Sequence, residues 1–86
     1  MILSHDQVNA NIGKRIQVLR VSNNLTLDDL AHQLGCSPRL MKNMEAGVTV
    51  ISAAMVCQIS QILSVSPDDI LTQKNASNVT YLHSVA

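Results

Sequence analysis

Arg39, Lys42 and Asn43 stand three and four residues apart in the stretch SPRLMKNMEAG, so on a helix they share one face. A guanidinium and a carboxamide can each make paired hydrogen bonds to a flat partner. Arg matches the O6 and N7 edge of guanine, Asn the N6 and N7 edge of adenine, and Lys reaches either a guanine or a phosphate. The bland alternative is the solvated face that every amphipathic helix carries, and on spacing alone the two readings stand level. Other chemistry is harder to find. His5, His32 and His83 are not at ligand spacing and no cysteine joins them, so no metal site is expected. There is no Gly-rich phosphate loop, no HExxH and no GxSxG. Met41, Met44 and Met55 fall at core positions of helices, not in a cofactor box. The expectation is a protein that is not an enzyme and takes no cofactor.

Apolar spacing and capping residues predict five helices to position that face. Val8, Ile12, Ile16 and Leu19 make one stripe over a first helix from about Asp6 to Ser22, and Asn23-Asn24 stops it. Thr26 opens a second helix with Asp29 as its capping-box partner, and Leu27, Leu30, Ala31 and Leu34 supply the apolar side before Gly35. Ser37-Pro38 opens the third, a Ser cap followed by Pro where no amide hydrogen is missed. Its apolar residues are Leu40, Met41 and Met44, and Ala46-Gly47 closes it. After an apolar loop from Val48 to Ile51, Ser52 caps a fourth helix that runs to Leu63, with the broad stripe Met55, Val56, Ile59, Ile62 and Leu63. Ser66-Pro67-Asp68-Asp69 opens a brief fifth with Ile70 and Leu71. Beyond Lys74 the helical period ends; both a short strand and a frayed tail fit the loose alternation of Val79, Tyr81 and Val85.

Bulk properties narrow the class. At 86 residues the chain has room for one domain, and with one Tyr and no Trp or Phe its core must be Leu, Ile, Val, Met and Ala. Six basic residues balance six acidic ones, which argues against an indiscriminate polyanion binder. The acids Asp28-Asp29 and Asp68-Asp69 sit in first turns, where they favour the positive end of the helix dipole. Cys36 and Cys57, far apart and outside any CxxC, read as reduced, buried small hydrophobes. No secretory signal pattern is seen and no apolar run approaches the roughly 20 residues of a bilayer span. A soluble, cytoplasmic protein is expected.

The run IGKRIQVLR from Ile12 to Arg20, then LTLDDLAHQLGCS, the MEAG ending and ILSVSPDDIL together resemble the lambda-repressor-like, or Cro/repressor-type (XRE), helix-turn-helix family. The likeness runs in order and spacing from about Val8 to Leu71. It implies an all-α, compact bundle of five helices with a short C-terminal tail, in a prokaryotic or phage setting. The helix-turn-helix domain would span 1–73, leaving 74–86 as a tail and candidate dimerisation segment. It further implies a transcriptional regulator, a repressor by expectation, working as a homodimer on near-palindromic double-stranded DNA with the third helix in the major groove. By position, Ser37, Pro38, Arg39, Lys42 and Asn43 fall where the family touches DNA. Thr26 falls where relatives hold a phosphate, and Thr49 and Ser52 are lesser phosphate candidates. Arg20 and Glu45 match an internal ion pair. Ile70, Leu71, Val79, Tyr81 and Leu82 are the expected dimer contacts.

The chain departs from the family pattern in three places. Many relatives have Gln where this sequence has Leu27 and Pro38, and a basic residue in the loop that here reads Val48-Thr49-Val50-Ile51. Leu cannot hydrogen-bond a phosphate, and each missing phosphate contact lowers affinity and flattens its salt dependence. DNA binding weaker than the family norm is therefore expected. The same features support an alternative, a helix-turn-helix module of the antitoxin or anti-repressor type that binds a protein partner.

Overall fold

The computed structural model describes residues 5–71, which form α1 (His5–Ser22), α2 (Leu27–Leu34), α3 (Pro38–Glu45), α4 (Ala53–Leu63) and α5 (Pro67–Leu71). Local chemistry sets each boundary. At the end of α1, Asn24 takes the left-handed conformation at φ 59°, and the Asn23 side chain donates to the Leu19 carbonyl at 2.8 Å. Asn adopts that conformation more readily than other non-glycine residues. The Thr26 hydroxyl accepts from the Asp29 amide, and the Asp29 carboxylate accepts from the Thr26 amide, both at 3.0 Å. Two of the amides that helix geometry leaves open are satisfied there. Ser37 and Ser52 cap α3 and α4 by accepting from Leu40 and Met55 at 3.1 and 3.2 Å. Ser64, at φ 59°, ends α4, a stop that its residue type does not announce.

The core gathers one stripe from each helix: Ile16, Leu30, Ala31, Met41, Met44, Val56, Ile59, Leu63 and Ile70 are all buried. Burying each large aliphatic side chain stabilises by roughly 1.5–3 kcal/mol. Ser60 is buried among them, with its hydroxyl donating to the Cys57 carbonyl at 2.7 Å. Among the described residues no buried side-chain polar atom lacks a partner.

Three sequence expectations are corrected. Val8 is 40% exposed, so the buried part of the α1 stripe starts one turn later, at Ile12. Cys57 is exposed, because Val56, Ile59, Ser60 and Leu63 fix the inward side of α4 and Cys57 falls off it. Cys36 is only partly buried; both thiols are free. Ile70 lies wholly inside the core of its own chain and is not available to a second copy, leaving Leu71, half exposed, as the α5 residue that faces out. Val79, Tyr81 and Leu82 lie outside the described residues.

Candidate nucleic-acid interface

The eight residues of α3 pack against both α1 and α2. Met41 and Met44 are fully buried, which fixes the rotation of α3 about its axis and turns the opposite side outward. That outer side carries Pro38, Arg39 and Lys42, all exposed, with Asn43 partly so. Arg39 and Lys42 have no ion-pair or hydrogen-bond partner among the described residues, so both cations are free to meet a ligand. Ser37 holds the start of the helix through its cap to Leu40 and sits exposed beside them.

The far end of α3 is clamped to α1. Arg20 Nε donates to Glu45 Oε2 at 2.6 Å and Nη2 to Oε1 at 3.2 Å, a two-point contact between side chains only 12% and 6% exposed. The remaining guanidinium nitrogen, Nη1, donates to the Leu25 carbonyl at 2.8 Å, so one arginine ties α1, the loop before α2, and α3. Gly13 makes this approach feasible. A Cβ there would fall 2.5 Å from the Glu45 carbonyl oxygen, against rigid backbone. Gly47 repeats the device just past the helix: at φ 78° it lies so close to α1 that a Cβ would stand 2.6 Å from Ala10 Cα. Both glycines lie in the runs that carry the family likeness, but spacing alone assigns neither a contact between backbones. The available signal was Gly13 itself, since a mid-helix Gly costs about 1 kcal/mol relative to Ala and asks for a packing reason.

Thr26 is exposed at the opening of α2, its hydroxyl oxygen and its amide both engaged with Asp29. The Thr26 amide, and after it the Thr26 hydroxyl, hold the Asp29 carboxyl below its ordinary value. Asp29 therefore presents negative charge beside Thr26 at neutral pH. Leu27 is partly buried against the core. Thr49 is half-buried and Ser52 exposed, but the loop is dominated by Val48 and Val50, 75% and 73% exposed. Partial burial pushes the Cys36 thiol up from its usual value. Among the described residues no cluster of three His, Cys, Asp or Glu could hold a metal, and no helix is long and apolar enough to cross a membrane.

Two short helices joined at Gly35, the second clamped behind and bare in front, define a helix-turn-helix unit within a five-helix bundle. The chain belongs to the helix-turn-helix domain family, whose model matches residues 13–76, and within it to the Cro/repressor (XRE) type. This membership agrees with the expectation of a non-enzymatic protein. No curated protein matches the chain. Several solved structures share the fold. The clp gene regulator ClgR from Corynebacterium glutamicum is 22% identical with a TM-score of 0.74, covering 91% of this chain and 81% of its own. The restriction-modification controller protein C.AhdI from Aeromonas hydrophila is 21% identical at 0.68, covering 71% and 92%. A hypothetical transcription factor from Neisseria, NHTF, is 16% identical at 0.75, covering 95% and 92%.

Proposed function

We propose that the protein is a sequence-specific DNA-binding transcriptional regulator that acts as a homodimer, with α3 in the major groove of a near-palindromic operator and repression as the outcome. The observation that carries this reading is the pair of unpartnered, exposed cations Arg39 and Lys42 on the outer side of a helix whose inner side is locked. Arg39 makes the bidentate guanine contact, Asn43 reads an adenine edge, and Lys42 reaches a guanine or a phosphate. Ser37 and Pro38 approach the backbone at the start of the helix. Thr26 is the phosphate candidate at the opening of α2, but its amide and hydroxyl are engaged with Asp29, and Asp28 and Asp29 beside it oppose the negative charge. Thr49 adds a weaker contact. The similarity to ClgR, a clp gene regulator, and to C.AhdI, a restriction-modification controller protein, supports the same class of activity.

The test is capture of host genomic fragments by the purified protein at low and moderate salt, followed by sequencing. The expected result is an enriched palindromic motif whose recovery falls with salt and is lost for Arg39→Ala. Absence of enrichment at low salt would sink the reading.

A second reading has its own observation. Val48 and Val50 are the most exposed large apolar side chains among the described residues, and they follow α3 directly. Such a pair suits a protein partner better than a phosphate backbone. On that reading Arg39→Ala combined with Lys42→Ala leaves function intact, while Val48→Asp or Val50→Asp abolishes it.

A further inference from the structure

Two surfaces outside the interface are complementary in charge and in apolar content. On α1 a shallow hollow is lined by Asn11, Lys14, Arg15 and Val18. Neither cation has a partner among the described residues, and Val18, one turn beyond Lys14, is 52% exposed. On α5, Asp68 is exposed without a partner among the described residues, and Leu71, three residues later on the same side, is 51% exposed. Asp69 differs: its carboxylate accepts from the Ser66 amide at 3.0 Å. One surface thus offers cations followed by an apolar side chain, and the other an anion followed by an apolar side chain.

α1 and α5 pack against each other within one chain. A two-fold axis beside that seam would bring the α1 surface of each copy onto the α5 surface of the other. The contact then forms twice, as an isologous interface requires. Like-on-like pairing is disfavoured electrostatically, because α1 on α1 would oppose Lys14 and Arg15 to their own copies and α5 on α5 would oppose Asp68 to its own. The zero net charge of the chain fits a surface made to meet itself.

We infer that the second copy in the homodimer docks through this reciprocal contact, Lys14 and Arg15 on α1 of one copy facing Asp68 on α5 of the other, with Val18 against Leu71. This inference rests on the homodimer reading above and names its surface. The contact orients the two α3 helices by rigid elements of the bundle, and it explains why Leu71 and Val18 are left out of the core of the single chain.

The experiment is a charge exchange read by sedimentation equilibrium of the full chain across micromolar concentrations, with circular dichroism checking the fold. Lys14→Glu combined with Arg15→Glu is one variant, and Asp68→Lys is the other. Each alone places like charges together twice and is expected to weaken self-association at least roughly tenfold. Mixed in equal amounts, the two variants restore opposite charges at both contacts, and a dimer of near wild-type strength returns. Misfolding does not produce that rescue. Undiminished dimers from either folded variant, or weakened ones that mixing fails to restore, overturn the proposed surface while leaving a homodimer in place. A wild-type chain that stays monomeric both free and on DNA overturns the homodimer reading itself, and this contact with it.

Discussion

The two sides of α3 differ in nearly everything. Behind, Met41 and Met44 are buried, Glu45 grips Arg20, and Gly13 and Gly47 let α1 come to backbone contact. In front, Arg39 and Lys42 stand in solvent with nothing to hold them. An eight-residue helix is too short to be stable alone, so its order comes from the side that packs. The lesson is a division of labour: substitutions behind α3 should change whether the protein folds, and those in front what it binds.

The largest expected effect breaks the rear side. Gly13→Val drives a branched side chain into the Met44 and Glu45 carbonyls, and should destabilise by about 3 kcal/mol or more. Thermal unfolding would register this as a fall in Tm on the order of 10 °C or greater. A Tm within a degree or two of wild type would mean that the helices do not cross this closely.

Next comes the ion pair. Glu45→Ala strands the Arg20 guanidinium in a largely enclosed position, at a cost of about 2–3 kcal/mol. Arg20→Met combined with Glu45→Leu should recover part of that loss, which a urea titration of single and double variants would measure. If the single and double variants lose equally, the pair is not coupled as its geometry demands.

The front should behave in the opposite way. Arg39→Ala is expected to leave Tm unchanged while operator affinity drops by about 1–3 kcal/mol, roughly tenfold or more. A marked loss of stability in this variant would erase the distinction between the two sides.

Smaller effects sharpen it further. Ser37→Ala removes the cap that orders the front edge of α3 and should cost about 1 kcal/mol, lowering both stability and affinity slightly. The cap of α2 predicts a pH dependence. The folded-state carboxyl of Asp29 titrates below its ordinary value of 3.8 because it accepts from the Thr26 amide and hydroxyl. A lowered acid pKa means stabilisation that is present above the unfolded value and lost as pH falls through the folded one. Acid unfolding of wild type should therefore show a loss in that window which Asp29→Asn lacks. Parallel profiles would dismiss the capping contribution.

How much of this was legible in the residues depends on the range of the interaction involved. The caps Thr26, Ser37 and Ser52, the Asn23-Asn24 stop and the five helices are all readable, because a cap is chemistry between residues two or three apart. The end of α4 at Leu63 follows from the last residue of its apolar stripe, although nothing in a serine side chain announces the left-handed backbone that Ser64 adopts there. Arg39, Lys42 and Asn43 share a face by helix geometry, and the family likeness supplied their role. What spacing could not give is the rotation of each helix in the bundle. Val8 and Cys57 illustrate it: both are apolar enough for a core, and both are exposed because their neighbours filled the inward side first.

By itself, then, the sequence determined the number and limits of the helices, the aliphatic character of the core and the family to which the chain belongs, all of which follow from local propensity and pattern. Only the tertiary structure decided which apolar residues remained outside, such as Leu71 and Val18, and that Ile70 went in. It alone revealed Gly13 and Gly47 as the points where two backbones meet. Close packing is a competition for limited interior space among segments distant in the chain, and its outcome is set by all of them at once.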